Sequence, residues 1–223
     1  MTIPLARSLQ KLVYAAVGKE LFTYTVILVV CLFMAVTFFK FRIKKASQYV
    51  WLFICGGVYI YSTLQLGKHP EEAAHFIEYG LLSFFLFNAL SVRVRDWTIY
   101  ITVMLFAAFI GTFDEFIQWM VPGRHWDYRD VGLNAFSSVV FMVAVWKGIR
   151  PEVISGPVKK FSLKICSVAL AANLVFLVLC HANTPEMVNR YTSKFESLSW
   201  LRDEEPMKGL SIFRDVPAID EKR

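Results

Sequence analysis

The chain has 223 residues, of which 56% are apolar, 16% aromatic and only 19% charged, and its mean hydropathy is +0.47. A soluble domain of this size carries about 25% charged residues, so the balance excludes a disordered chain, a coiled coil and an ordinary soluble enzyme, and points to a membrane protein. The net charge of +6 comes largely from cations flanking apolar runs, and no aromatic and basic interleaving accompanies it, so the expected partner is the lipid bilayer and not nucleic acid.

Residues 1–20 read as an amphipathic leader, because Leu5, Leu9, Leu12, Val13, Ala16 and Val17 recur at helical spacing opposite Arg7, Lys11 and Lys19. The apolar run that follows ends in Lys40, Arg42, Lys44 and Lys45 with no small-residue cleavage site, so it is expected to stay in the mature protein as the first span. In all, the pattern predicts an all-α polytopic bundle of six transmembrane helices, at about 21–39, 49–66, 75–92, 97–120, 131–149 and 161–180. Each run approaches the roughly 20 residues needed to cross about 30 Å of hydrocarbon. Continuous apolar runs do not suit a spanning barrel, whose strands alternate. Tyr49, Trp51, Trp97, Trp119 and Trp146 stand at the ends of these runs, where an interfacial belt belongs. The organisation is therefore 1–20 leader, 21–48 first helix and basic loop, 49–149 a four-helix unit, 150–180 the sixth helix, and 181–223 a hydrophilic tail. Within that tail Met187, Tyr191, Phe195, Leu198 and Leu201 predict one short amphipathic helix over 185–202.

Orientation follows from Lys and Arg. The loops after the first, third and fifth spans hold ten of them and the opposite side eight, which places both termini outside the cytoplasm and the protein in the inner membrane. Cys31, Cys55, Cys166 and Cys180 lie in or at the ends of spans without C-x-x-C spacing and read as packing residues. Gln65, Asn88 and Asn173 read as interhelical hydrogen-bond partners.

Other polar residues are concentrated. A charge at the centre of a bilayer helix costs about 2.5–3.5 kcal/mol on insertion scales, so such residues face a cavity or a partner. His75, Glu78 and Tyr79 share one face at i, i+3 and i+4, and Asp114, Glu115 and Gln118 close the fourth span. A short turn, 121–129, carries Pro122, Gly123, Arg124, Asp127 and Arg129, and the fifth span opens with Asp130, continuing on one face through Asn134, Ser137 and Ser138. The start of the third span, the end of the fourth and the start of the fifth all lie at one membrane surface, so three helices aim polar groups at one layer.

The stretches HFIEYGLLSFFLFNAL (75–90) and DEFIQWMVPGRHWDYRDVGLNAF (114–136) resemble the VanZ-like family of multi-pass bacterial membrane proteins. The resemblance covers about 49–148 and leaves the first and last helices outside. It implies His75, Tyr79, Asp114, Glu115, Gln118, Arg124, Asp127, Asp130 and Asn134 as the marked positions. Where it implies glycines after the Asn, this chain has Ser137 and Phe141. The family's association with resistance to the glycopeptide teicoplanin implies an envelope ligand or an amphipathic antibiotic as partner, and it brings no settled activity.

Several chemistries fit these residues. Asp114 and Glu115 are adjacent and so project about 100° apart on a helix, which suits separate roles: one carboxylate facing the Arg124 guanidinium and the other the cavity near His75. Glu115, Asp114 and His75 are then candidate acid–base residues of an enzyme acting on a lipid-linked or cell-wall substrate. With Glu78, Tyr79, Gln118, Arg124, Asp127, Arg129, Asp130 and Asn134 they equally form a binding site, a proton-coupled path through a small permease, or a charge network that fixes three helices and a loop. No cofactor is identified; the carboxylates and His75 also leave open a divalent metal, which the two nearby arginines oppose.

Overall fold

The structure, a computed structural model, describes residues 19–40, 43, 45–66, 70–122 and 126–202. The leader up to residue 18, Arg124 and the tail beyond residue 202 lie outside the described residues. Each apolar run forms a helix: α1 (Lys19–Lys40), α2 (Ala46–Gln65), α3 (Pro70–Ser91), α4 (Thr98–Trp119), α5 (Tyr128–Val143, continued by a wider π-helical turn, Ala144–Ile149) and α6 (Lys160–Ala182). There is no strand among the described residues. Two short segments follow, α7 (Pro185–Thr192) and a 3-10 helix (Glu196–Arg202). The single amphipathic helix expected over 185–202 is thus broken by a turn near Ser193.

Three helices among the described residues are long and apolar enough to cross a membrane: Thr98–Trp119, Tyr128–Ile149 and Lys160–Ala182. At about 1.5 Å per residue, their 22 or 23 residues reach about 33 Å. α1 contributes a shorter apolar stretch, Ile27–Thr37. The six-span expectation is therefore met for these three. α2 and α3 have the length, at 20 and 22 residues, but carry polar side chains such as Gln48, Thr63, His75 and Glu78 that dilute their apolar character.

Packing is inverted relative to a soluble bundle. Leu163, Val168, Leu174, Val175 and Val178 of α6, and Leu28, Leu32 and Val36 of α1, are exposed, whereas Thr63, Ser83, Thr102, Thr112, Ser137 and Ser138 are buried. In hydrocarbon every hydroxyl needs an internal partner. Several find one four residues back on their own helix, as Thr63 Oγ1 to Tyr59 O at 2.8 Å and Ser83 Oγ to Tyr79 O at 2.7 Å. The inner trio is α3, α4 and α5; α2 packs on α5 and its π-helical turn, α1 on α2 and α3, and α6 on α4. Asn173 of α6 donates to Leu105 O across that last contact at 2.9 Å, as an interhelical partner should. Asn88 instead donates to Phe84 O of its own helix and is exposed, which corrects the interhelical role expected for it: its side chain points out of the bundle. At the far end Val188 and Leu201 bury themselves against Trp119 and Cys180, so the tail segments sit on the ends of α4 and α6.

Loops are tied down opposite that end. Asp96, before α4, accepts from Thr98 N–H at 3.1 Å and from Thr98 Oγ1 at 2.6 Å. Its other oxygen and the Ser162 hydroxyl of α6 are within electrostatic reach without closing a well-aligned hydrogen bond. Burial pushes its carboxyl up, but donors from Ser162, Thr98 and the Lys159 backbone outweigh this and hold it below the ordinary value. Folding thus favours the charged form. Its contribution is full above the ordinary value of 3.8 and is lost as pH falls through the lowered folded value. Asp96→Ala is expected to cost about 1–2 kcal/mol. In thermal melts of detergent-purified protein, the gap between wild type and Asp96→Asn should be constant from about pH 8 to about pH 5 and close in stronger acid; a gap that widens in acid would refute this role.

Candidate functional site

The polar layer forms where α3, α4 and α5 meet. α4 has glycine at 111, one turn before Asp114 and Glu115, and a Cβ there would stand 3.1 Å from Asn134 Cβ and 3.2 Å from Tyr79 Cε1. The missing side chain is what lets α3 and α5 close on α4. Around this contact Tyr79 OH donates to Asp114 Oδ2 at 3.4 Å, and Gln118 Nε2 donates both to Asp114 Oδ2 at 2.9 Å and to Glu115 Oε1 at 3.2 Å. Glu115 is only 2% exposed. The two carboxylates share one amide donor, Gln118, one turn along the same helix.

A second tier lies below. Tyr59 OH of α2 meets Ser137 of α5 at 2.9 Å from both its carbonyl and its hydroxyl, Ser137 Oγ donates to Phe76 O of α3, and the Ser83 and Ser138 hydroxyls meet at 2.8 Å. Where the resemblance implied a glycine, Ser137 makes a close three-helix contact through hydrogen bonds instead.

Asn134 stands out. Its side chain is 1% exposed, beside Tyr79 and Gly111, yet neither amide atom has a hydrogen-bond partner among the described residues. Buried amides are nearly always paired, and an unpaired one requires an explanation. His75 lies at the outer edge of the layer. Its Nδ1 is 3.4 Å from Glu78 Oε2, which is 66% exposed, and its ring centroid is 6.5 Å from that of Tyr79. That contact is too poorly aligned to be a hydrogen bond, so Nδ1 has no hydrogen-bond partner among the described residues.

The remaining predicted residues sit toward the turn. Asp127 caps α5, its carboxylate accepting from Arg129 N–H at 2.7 Å, and Asp130 lies in the first helical turn, where a negative charge suits the helix dipole. Arg129 and Asp127 are exposed at the surface of the layer, and Arg124 is outside the described residues. Among the described residues no three His, Cys, Asp or Glu are grouped to hold a metal ion. The reason is geometric: an amide donor occupies the space between Asp114 and Glu115, and His75 pairs toward solvent with Glu78.

Sequence reasoning passed over Gly111, Tyr59 and Ser83. Gly111 stands at i−3 and i−4 to the two carboxylates, and Ser83 continues the His75 and Tyr79 face by another four residues; both signals were present. Tyr59 has none, since only the packing of α2 on α5 brings it to Ser137.

The assembled site is a hydrogen-bonding crib of two carboxylates, a phenol and two amides within an apolar bundle, suited to a hydroxyl-rich or amide-rich ligand. No curated protein and no solved structure matches the chain. A family model described as VanZ/LLP1 matches residues 21–150, more than half of the chain. The match takes in α1, which the motif resemblance left outside. With its apolar-surfaced helices and this polar layer, the chain is a VanZ-like membrane protein and belongs to the VanZ/LLP1 family.

Proposed function

We propose that the protein is a six-span inner-membrane protein that binds the polar part of an envelope ligand or amphipathic antibiotic, of the glycopeptide kind, at the layer formed by Tyr79, Asp114, Glu115, Gln118 and Asn134. The observation that carries this reading is the Asn134 amide, fully buried and without a hydrogen-bond partner among the described residues. A site that holds open such hydrogen-bonding capacity gains when a ligand group fills it. The cation distribution supports an extracytoplasmic layer with both termini on that side. A cysteine at His125 in a cysteine-less background is then expected to react with a membrane-impermeant thiol reagent in intact cells; reaction only after the inner membrane is opened reverses the orientation.

Binding and acid–base catalysis use the same carboxylates, and one experiment separates them. Glycopeptide susceptibility is measured in cells expressing wild type, Asp114→Asn or Glu115→Gln at matched membrane abundance. Amides still hydrogen-bond, so a binding protein is expected to keep partial protection, whereas removing an acid or base costs about 100-fold or more in rate. Complete loss in both variants would favour an enzyme acting on a lipid-linked or cell-wall substrate. No protection by the wild type would sink the glycopeptide reading itself.

A further inference from the structure

The opposite end of the bundle from Glu115 carries a polar groove. It lies open to the surface between the start of α4 and the π-helical end of α5, has a volume of about 530 Å³, and is lined by Trp97, Tyr100, Trp146, Lys147, Arg150 and Glu152 among others. We propose that this groove binds the phosphate of an anionic phospholipid headgroup, with Lys147 and Arg150 as its cationic contacts.

The backbone here is shaped at a cost. Arg150 N–H reaches back to Val145 O at 2.8 Å, a five-residue step, and Arg150 itself is left-handed at φ 51°. It is the one non-glycine residue with positive φ among the described residues. Such conformations persist where surrounding structure over-determines them, and they cluster with π-helical turns at functional sites. Three contacts over-determine this one. Gln48 Nε2 of α2 donates to Gly148 O at 2.8 Å and to Ile149 O at 3.3 Å. A Cβ on Gly148 would stand 2.6 Å from Leu52 Cδ2, so the turn is seated directly on α2. Arg150 Nε donates to Lys147 O at 3.0 Å, which ties the guanidinium to the same turn as Lys147.

The side chains complete a headgroup site. Tyr100 stacks between Phe87 and Trp146, with centroids 6.0 and 5.9 Å away, and Lys147 Nζ lies 3.9 Å over the Trp146 ring. Trp97 and Trp146 remain 52% and 43% exposed at the ends of two apolar helices, the level at which aromatic side chains meet headgroups. Two cations against one carboxylate leave a single positive charge, matching the monoanionic phosphodiester of a lipid such as phosphatidylglycerol. A planar guanidinium and a compact ammonium on one turn suit such an oxyanion.

The test is native mass spectrometry of the full-length protein in detergent with equimolar phosphatidylglycerol and phosphatidylcholine. Wild type is expected to retain phosphatidylglycerol selectively, and Lys147→Gln with Arg150→Gln to lose that retention by about ten-fold or more. Lys159→Gln with Lys160→Gln, which removes cations from the same surface outside the groove, is expected to keep it. Arg150→Gly guards against misfolding, because glycine adopts the left-handed conformation without strain and this offsets the lost Nε bond; it should melt close to wild type and still lose retention. Equal loss in the groove and control variants, or loss in neither, overturns the proposal. Displacement of the lipid by millimolar glycerol 3-phosphate would overturn its lipid source in favour of a soluble phosphate.

Discussion

Asn134→Leu is expected to raise the thermal stability of the purified protein and to abolish, in the same molecule, the ligand binding proposed for its polar layer. Leucine nearly matches asparagine in shape and brings no polar atom, and the native amide sits 1% exposed without a hydrogen-bond partner among the described residues. An unpaired buried polar group costs about 1–3 kcal/mol, so removing it should return a gain of that order. The same change deletes both a donor and an acceptor from the layer that holds Tyr79, Asp114 and Gln118. Opposite signs for stability and function mark a site maintained at the expense of the fold, a trade common where residues are kept for binding. A drop in melting temperature would show that the amide is structurally partnered. Unchanged ligand binding by the variant would remove Asn134 from the proposed site.

Gly111→Leu is the structural counterpart, and its expected effect is loss of both. Even a methyl at this position comes within 3.1 Å of Asn134 and 3.2 Å of Tyr79, tighter than ordinary van der Waals contact. Leucine adds three further carbons where α3, α4 and α5 converge. Overpacking of this kind costs about 1–3 kcal/mol, occasionally more, and the separation it forces breaks the 3.4 Å link from Tyr79 to Asp114. Thermal melts and membrane abundance should fall for Gly111→Leu and fall less for Gly111→Ala, since a few tenths of an ångström of adjustment admit a methyl. An unaffected Gly111→Leu would show that the helices do not meet as described.

The helical class was legible because the signal is local and repeated. An apolar run of some twenty residues has one way to satisfy its backbone in hydrocarbon, which is to form helix, and each such run did. The polar layer was legible for a related reason: charged and amide residues at helical spacing on α3, α4 and α5 are too costly to scatter. The Asp127 cap on α5 likewise needs only the residues beside it.

Pairing was not legible. The hundred-degree divergence of Asp114 and Glu115 gave no sign that one side chain, Gln118, reaches both. His75 meets Glu78 at the exposed edge and Tyr79 beside it, as their shared helix face requires, but nothing in the spacing says that its Nδ1 closes no well-aligned hydrogen bond among the described residues. Asn88 and Asn173 are the same residue type in comparable runs; both bond the carbonyl four residues back, but only Asn173 also reaches a neighbouring helix, because α6 turns its asparagine toward α4. The break of the tail helix near Ser193 and the strained turn at Arg150 likewise depend on what they pack against. Local composition and period therefore decide that helices form and where polar side chains gather, since those energies are summed along one chain segment. Which hydrogen bonds close, which amide stays unpaired and which glycine admits a neighbour are settled by distances of a few tenths of an ångström between segments, and those exist only once the helices have packed.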